Sequence, residues 1–366
     1  MNFAIVRYLI GWMLGIESIF LLLPALTAVI YGEPELPAYL IAAAISLAGA
    51  ALLCHRKPKN TRFYAREGYV TVALCWLILA VIGALPFVLS REIPFFIDAL
   101  FETVSGFTTT GATILGDVEA LSHASMLWRC LTHWVGGMGV LVFMLIVLPL
   151  AGGQTIFLMR AESPGPSVSK MSPHMRDTAT ILYAIYFGLT VLQMILLLIG
   201  GMPLFDAICV SLGTAGTGGF GNWNDSIAHY NSAYLQNVIT VFMILFGINF
   251  SAYFLILTRK FRQAFRIEEI RVYLGVIFVF AGLIAFNVRP MFGSLRESFH
   301  HALFQVASII TTTGFSTVDF DQWPTFSRAL LVLLMFIGAC AGSTGGGIKC
   351  SRILLLGKSV KKELMC

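Results

Sequence analysis

One short unit occurs three times in this chain without insertions, and it constrains the fold more than any other feature of the sequence. Each copy is 14 residues long, starts with a polar residue followed by Ala-Leu or Ala-Ile, and closes on a glycine. The copies are residues 98–111 (DALFETVSGFTTTG), 206–219 (DAICVSLGTAGTGG) and 301–314 (HALFQVASIITTTG). Their spacing predicts a larger repeat of about 100 residues.

The composition excludes every soluble class of protein. Hydrophobic residues make up 57% of the 366 residues and charged residues only 12%, with a mean hydropathy of +0.83. Soluble domains carry roughly 25% charged residues, so the chain is predicted to be a membrane protein. The 7 cysteines form no CxxC pair and no metal-ligand spacing, and we interpret them as small core residues.

Eight apolar runs are long enough, or nearly so, to cross the hydrocarbon core of a bilayer, which is about 30 Å thick. They lie near residues 5–30, 37–54, 69–90, 124–150, 178–200, 233–257, 270–287 and 326–341. The repeated units fall between the third and fourth, the fifth and sixth, and the seventh and eighth runs, and each unit is too short to cross. We therefore predict an all-α membrane protein in which two N-terminal helices precede helix–pore loop–helix repeats.

This order of elements also predicts the domain boundaries. Residues 1–66 form an N-terminal two-helix segment, and residues 67–177 form the first pore repeat with a cytoplasmic linker. Residues 178–269 form the second pore repeat. Residues 270–366 form the third repeat, whose final helix is predicted to be broken by glycines.

The basic residues predict a cytoplasmic N-terminus. With that orientation the inner segments hold 19 of the 24 lysines and arginines, as the positive-inside rule requires. The outer side then holds 12 of the 19 acidic residues, and a negative outer face raises the local concentration of cations. The inner segments 151–177 and 258–271 either meet the membrane surface or a cytosolic partner, or simply anchor the neighbouring spans.

The repeated unit has the composition of an ion filter. A loop that re-enters the membrane leaves backbone polar groups unpaired, which is tolerated only where protein or a water-filled cavity lines it. Glycine adopts dihedrals closed to other residues, so successive carbonyls can point to one axis and replace the water around an ion. The short apolar segment before each glycine is long enough for a half-helix whose partially negative C-terminal end favours a cation.

The predicted filter lies at residues 109–112, 217–220 and 312–315, with a cation bound mainly by backbone carbonyls. The candidate ligands are Thr109, Thr110, Gly111, Thr217, Gly218, Gly219, Thr312, Thr313, Gly314 and Phe315. In the second copy Gly219 is preferred because Gly219-Phe220 matches Gly314-Phe315, with Gly218 as the alternative. The competing interpretation of a single TTTG is a turn whose small residues permit close helix packing, but three copies in register favour a filter.

A second glycine-rich stretch interrupts the last apolar run. Four of the six residues at 342–347 are glycine, and each destabilises a helix by about 1 kcal/mol relative to alanine, so the span is predicted to break there. A phosphate-binding loop is a competing motif, but it requires a Ser or Thr after the lysine and a strand before it. Here Cys350 follows Lys349 and a helical run precedes. A simple packing kink is the other alternative.

The chain resembles the membrane subunit of the Trk/Ktr/HKT superfamily of potassium transporters, and more closely the bacterial Trk type with two extra N-terminal helices. The three filter units carry the resemblance, together with WVGGMG at 134–139 and GSTGGGIK at 342–349. The resemblance implies potassium uptake through a pseudo-fourfold pore and a multi-pass location in the inner membrane of a bacterium. It also implies an intramembrane gate containing Gly342, Gly345, Gly346, Gly347 and Lys349.

Selectivity and partners are further implications of this resemblance. In the family a glycine at the first filter position accompanies potassium preference and a serine accompanies sodium permeation, so Gly111 implies potassium. The membrane subunit usually forms a homodimer on a cytosolic ring of nucleotide-binding regulatory subunits. The lipid bilayer and potassium are the other expected partners, and nucleic acid is not one.

One departure from the family concerns the number of repeats. The family has four, and the spacing predicts a fourth filter glycine at about position 420, whereas the sequence ends at Cys366. We expect the sequence to be a fragment, the alternative being that another chain supplies the missing quarter. The rival functions are a non-conducting fragment and an ion-coupled secondary transporter, for example a symporter of potassium with protons or sodium, in which discontinuous helices hold a substrate during alternating access.

Several other polar residues are interpreted as structural. Asp98 and Asp206 occupy matching positions and are predicted to cap the half-helices. Arg129 and Arg328 stand near the outer ends of spans, where their side chains are expected to snorkel or to pair with filter-loop acids. Packing roles are expected for His133 and Trp134, and Glu297 is the only acid at helical spacing from His300 and His301. No catalytic constellation is visible, so the chain is not predicted to be an enzyme.

Overall fold

The computed structural model describes residues 2–58, 64–139, 175–264 and 266–365. It divides into two units, Met1–Tyr183 and Ala184–Cys366, and the boundary falls inside one helix. Each unit is described by itself below. The predicted domain boundaries after residues 66, 177 and 269 remain predictions.

The described part of the first unit begins with two long helices and continues with one helix–loop–helix repeat. Its helices are α1 (Phe3–Tyr31), α2 (Leu36–Cys54), α3 (Ala65–Leu89), α4 (Phe96–Phe107) and α5 (His123–Gly137). Helices α1 and α2 pack closely, since a Cβ placed on Gly11 would lie 2.6 Å from the sulfur of Cys54. Helix α4 has 12 residues and is therefore only about 18 Å long, too short to span a bilayer.

The described part of the second unit holds two more repeats. Its helices are α6 (Met175–Ile199, shared with the first unit), α7 (Leu204–Gly216), α8 (Ala233–Phe246), α9 (Phe250–Leu257), α10 (Phe261–Ala264), α11 (Glu268–Val288), α12 (Leu295–Ile310), α13 (Thr325–Phe336) and α14 (Cys350–Leu364). The core of the third repeat is formed by buried residues of α11, α12 and α13, among them Tyr273, Ile277 and Leu334.

The helices confirm a multi-pass, all-α membrane protein. Within the described residues, five are long and apolar enough to cross a membrane: Phe3–Tyr31, Leu36–Cys54, Arg66–Leu89, Ala179–Ile199 and Glu268–Met291. The run near 124–150 begins as α5, but residues 140–150 lie outside the described part of the chain, as does most of the predicted linker 151–177.

Two of the predicted spans are broken. The run at 233–257 is two helices, α8 and α9, bent by 94°. The bend occurs because Asn249 starts a new helix, its side chain accepting a hydrogen bond from the Ser251 N–H at 2.8 Å. In the last span, α13 ends at Phe336 and α14 starts at Cys350, so the break begins before the glycine-rich stretch rather than within it.

Candidate functional site

The three repeated units close with the same backbone conformation. Each has a threonine in the left-handed region and, two residues later, a glycine of positive φ. The threonines are Thr109, Thr217 and Thr312, with φ of +53°, +54° and +59°. The glycines are Gly111, Gly219 and Gly314, with φ of +76°, +83° and +88°. Gly219, and not Gly218, therefore shares the conformation of the other two glycines.

The same pair of hydrogen bonds ends each short helix. In the first unit the Thr109 N–H donates to the Gly106 carbonyl at 3.1 Å and the Thr110 N–H to the Ser105 carbonyl at 2.9 Å. The counterparts are Thr217 to Thr214 (3.1 Å), Gly218 to Gly213 (3.1 Å), Thr312 to Ile309 (3.0 Å) and Thr313 to Ser308 (2.9 Å). This is the Schellman pattern, in which a left-handed residue reverses the chain at the end of a helix.

Threonine is an unfavourable choice for that left-handed position. Glycine adopts it freely, whereas a left-handed conformation costs other residues about 1–2 kcal/mol, and a β-branched residue there is an outlier. Strain of this kind is retained mainly at functional sites. What threonine adds over glycine is a hydroxyl group, and in Thr217 and Thr312 that hydroxyl bonds to another segment, as described below.

In the second unit, the ends of the second and third repeated segments lie directly against each other. A Cβ placed on Gly219 would overlap the carbonyl oxygen of Thr313 and lie 3.4 Å from the carbonyl carbon of Gly314. A Cβ placed on Gly314 would instead meet no atom within 4 Å. The backbone at Gly219 is thus packed against its neighbour, whereas the free side of Gly314 faces open space.

A buried ion pair supports the end of the first repeated unit. Arg129 on α5 donates through Nε to Glu102 on α4 at 2.7 Å, and both side chains are buried. The Glu102 carboxylate also accepts from the Thr113 hydroxyl and the Ile114 N–H, each at 3.0 Å. The residues that follow Gly111 are thereby fixed to the short helix that precedes it.

His133 supports the same segment from α5. Its ring is fully buried, and Nδ1 lies 2.7 Å from the Gly106 carbonyl at the end of α4. Because a carbonyl only accepts hydrogen bonds, Nδ1 carries the proton in this contact. His133 therefore holds the end of α4, where the closing residues of the first repeated unit begin.

The end of the second repeated unit is supported by Asp206. Its carboxylate accepts from the Tyr230 hydroxyl at 2.6 Å, the Asn222 amide at 2.7 Å and the Trp223 indole N–H at 3.3 Å. Burial and the hydrogen bond to Asp206 raise the pKa of Tyr230, so its hydroxyl remains a donor. These contacts fix the loop after Gly219 to the helix before it.

Hydroxyl groups fix the third segment in a corresponding way. The Ser308 hydroxyl donates to the Phe315 carbonyl at 2.6 Å, and the hydroxyls of Thr311 and Thr313 lie 2.7 Å apart. The first segment repeats the second of these contacts, with 2.8 Å between the hydroxyls of Thr108 and Thr110.

The glycine-rich loop, residues 342–349, is bonded to the second and third segments. The Gly346 N–H donates to the hydroxyl of Thr312 at 2.7 Å. The hydroxyl of Thr217 is within donating distance of the Thr344 carbonyl, at 3.0 Å. The left-handed threonines of the two segments therefore contact the centre of the loop directly.

The base of the loop is closed by backbone pairing. The Gly338 N–H donates to the Ile348 carbonyl at 2.8 Å, and the Cys350 N–H donates to the Ala339 carbonyl at 3.1 Å. Inside the loop, the ammonium of Lys349 donates to the Gly345 carbonyl. These bonds join the end of α13 to the start of α14.

The loop is also bonded to the break between α8 and α9. The Cys340 N–H donates to the Gly247 carbonyl at 3.0 Å, and the Phe250 N–H donates to the Gly342 carbonyl at 2.9 Å. The two broken helix pairs of the second unit are thus hydrogen-bonded to each other. Within the described residues, no group of three or more His, Cys, Asp or Glu is arranged to hold a metal ion.

A comparison with family models matches residues 37–278 and 278–365 to the family described as TrkH, cation transport protein. The chain belongs to the TrkH family of cation transport proteins. The superfamily predicted from the filter units is thereby confirmed, and so is the prediction that the chain is a transport protein and not an enzyme.

Relatives of this TrkH-family chain cover its whole length. It is 37% identical to the Trk system potassium uptake protein TrkH of Salmonella typhimurium, a match over 100% of the chain and 77% of that relative. It is 34% identical to TrkG of Escherichia coli K12, over 98% of the chain and 75% of that protein. The crystal structure of the potassium transporter TrkH from Vibrio parahaemolyticus superimposes with a TM-score of 0.87 at 31% identity, over 100% of the chain and 76% of that structure.

Some of the predicted structural roles in this TrkH-family chain are seen and others are wrong. Arg129 pairs with Glu102 of the first repeated unit, as one of its two predicted roles requires, whereas Arg328 is exposed and forms no ion pair within the described residues. Asp98 and Asp206 do not cap their helices, because α4 and α7 start two residues earlier, after Phe95 and Pro203. Both acids lie in the first turn, where a negative charge is still favourable.

The sequence predicted only some of the contacts made by Trp134 and the histidines. Trp134 packs edge-on against Phe20, as expected of a packing residue. The hydrogen bond between His133 and the end of α4 was not predicted. His300 lies within hydrogen-bond distance of the side chain of Gln236 (2.6 Å), and His301 lies 3.0 Å from the Thr317 hydroxyl. Nothing in the spacing of residues along the chain identifies those partners, which come from other elements.

Proposed function

We propose that the chain takes up potassium through a filter lined by backbone carbonyls of residues 109–112, 217–220 and 312–315. The observation that carries this proposal is the repeated left-handed threonine followed by a glycine of positive φ, found in all three segments. Unusual dihedrals in successive residues let neighbouring carbonyls face one side, where they replace the water around an ion. Relatives named as potassium uptake proteins support potassium as the ion.

Selectivity for potassium over sodium is part of the proposal. Gly111 has a glycine's positive φ of +76°, and the family resemblance associates glycine at this position with potassium. A serine at residue 111 places a Cβ on a backbone of positive φ and is expected to disturb the carbonyl arrangement. Gly111→Ser is therefore expected to admit sodium.

The glycine-rich loop is proposed as the gate of this pathway, with Gly342, Gly345, Gly346, Gly347 and Lys349 as its main residues. Support comes from the contacts of the loop with Thr217 and Thr312, since a segment bonded to the filter threonines is positioned to block the ion path. The lysine ammonium bonded inside the loop adds a positive charge that repels cations.

The proposed orientation follows from the distribution of charge, and the proposed partners follow from the family resemblance. We propose that the chain lies in the inner membrane of a bacterium with its N-terminus in the cytoplasm, as the excess of lysine and arginine in the inner segments favours. A homodimer bound to cytosolic nucleotide-binding regulatory subunits is proposed from the family resemblance. The basic residues of 258–271 are candidates for contact with those subunits.

Flux in vesicles tests the transport proposal. The protein, expressed from its natural gene and reconstituted into lipid vesicles, should carry rubidium or potassium down an imposed gradient of that ion alone. A flux that requires a second gradient, of protons or sodium, would instead identify the coupled secondary transporter, the rival that the discontinuous helices also fit.

Deleting residues 345–347 tests the gate. If the loop blocks the pathway, the deletion raises flux while the protein reaches the membrane in normal amount. Unchanged or lost flux in a normally folded variant would identify the loop as a packing element. The matched control is Gly357→Ala in α14, a position where a Cβ would meet no atom within 4 Å.

A further inference from the structure

Glu269 contacts both sides of the glycine-rich loop. Its Oε1 atom accepts a hydrogen bond from the Ala341 N–H at 2.7 Å, just before the loop, and from the Ser351 N–H at 3.0 Å, just after it. One carboxylate oxygen therefore bridges the residues on either side of the loop, Ala341 and Ser351.

These contacts matter because, among the residues that the structure describes, Glu269 is the acceptor for both N–H groups. Ser351 is the second residue of α14, where the N–H groups of the first turn have no acceptor inside the helix. A carboxylate is a stronger acceptor than a neutral group, and a donor that loses its acceptor in a partly buried place costs free energy. The bridge therefore favours the conformation in which residues 341 and 351 are held together.

Glu269 also connects the loop to an inner segment. It lies in the first turn of α11, directly after the basic residues of 258–267. The body of α11 packs in one apolar cluster with Cys340 and Cys350, which flank the loop. The Glu269 carboxylate is thus a direct contact between the start of α11 and both ends of the loop.

We propose that Glu269 is a positioning residue for the gate, which sets the closed conformation of the loop and passes movement of the inner segment 258–267 to it. The proposal rests on the loop being the gate. The role requires an acceptor oxygen at this position and does not require a charge that touches the transported ion.

The neighbouring acid provides a matched control. Glu268 lies one residue earlier, half-exposed, and forms an ion pair with Lys358 at 2.5 Å instead of contacting the loop. Replacing it removes one carboxylate from the same helical turn and leaves both bonds of the bridge intact.

The test compares rubidium flux into vesicles for wild type, Glu269→Ala, Glu269→Gln, Glu268→Ala and the 345–347 deletion, without added cytosolic subunits. Loss of both hydrogen bonds predicts that Glu269→Ala raises flux by about 30-fold or more, with the rubidium half-saturation concentration and the potassium-to-sodium ratio unchanged. Glu269→Gln keeps an acceptor oxygen and should stay near wild type, as should Glu268→Ala.

The possible results distinguish the proposed role of Glu269 from the proposed role of the loop as a gate. Wild-type flux in Glu269→Ala, beside raised flux in the deletion, would overturn the role of Glu269 and leave the gate standing. No increase in a well-expressed deletion variant would overturn the gate. A Glu269→Ala variant with altered ion selectivity would also contradict a positioning role. If Glu269→Ala fails to reach the membrane, Glu269→Met keeps the bulk of the side chain, removes both acceptors and should show the same increase.

Discussion

Gly314→Ala tests the proposed filter, because the free-energy cost of this substitution comes from one source, the backbone conformation. The residue has a φ of +88°, and its added Cβ would meet no atom within 4 Å, so the substitution creates no steric overlap. The remaining cost is the left-handed backbone itself, about 1–2 kcal/mol for a residue with a side chain. That energy lowers the population of the native filter conformation about 5- to 30-fold.

Gly219→Ala adds a steric overlap to the same backbone strain. Its φ is +83°, and the new Cβ would overlap the Thr313 carbonyl oxygen, so the two filter segments have to separate. Gly219→Ala is therefore expected to lose more transport than Gly314→Ala. Gly218 has no positive φ, and Gly218→Ala is expected to retain more transport than Gly219→Ala.

The assay is the initial rate of rubidium uptake in a bacterium that lacks its own potassium uptake systems, normalised to the amount of protein in the membrane. Gly275→Ala is the control, since this glycine lies inside α11 with nothing within 4 Å of its Cβ, and alanine favours a helix by about 1 kcal/mol. Its uptake should match wild type. Wild-type uptake by Gly314→Ala would refute the assignment of this glycine to the filter.

Three further predictions concern the surroundings of the filter. Thr312→Val removes the hydroxyl that accepts a hydrogen bond from the Gly346 N–H, at a cost of about 1–3 kcal/mol, and should raise basal rubidium flux with selectivity retained. Unchanged flux would show that this hydrogen bond does not hold the loop closed. Arg129→Met removes the ion-pair partner of the buried Glu102 carboxylate, which costs about 3–5 kcal/mol and should lower the yield of folded protein. A double variant that also carries Glu102→Gln should recover part of that yield. Burial lowers the pKa of His300 and His301. The unfolded chain therefore binds protons at these histidines before the folded protein does, and the folded protein loses stability as the pH falls below the ordinary histidine pKa. Between about pH 7 and pH 5 the melting temperature should fall more for wild type than for a variant with glutamine at both positions.

The repeat made much of this fold predictable from sequence. Three units in register fixed the order of long helix, short helix and loop, and composition placed the whole in a membrane. The glycine-rich stretch at 342–347 predicted that the last span breaks, because its helix propensity is low. These features depend on local sequence and on periodicity, which a single chain displays.

Features that depend on contacts between distant residues were not predictable. Asp98 and Asp206 were predicted to cap their helices, but α4 and α7 begin two residues before these aspartates. Asp206 instead accepts hydrogen bonds from Tyr230 and Asn222. The bridge from Glu269 to residues 341 and 351 joins positions more than 70 residues apart. No periodicity marks such pairs, since they are chosen by packing.

The most direct test of the central claim is potassium-dependent growth and rubidium uptake in a potassium-uptake-deficient bacterium that keeps its cytosolic regulatory subunits. The account predicts that the natural gene restores growth at low potassium, and that excess potassium, but not sodium, competes with rubidium. Absence of rescue despite normal membrane expression, or equal competition by sodium, would contradict a potassium-selective filter in this chain.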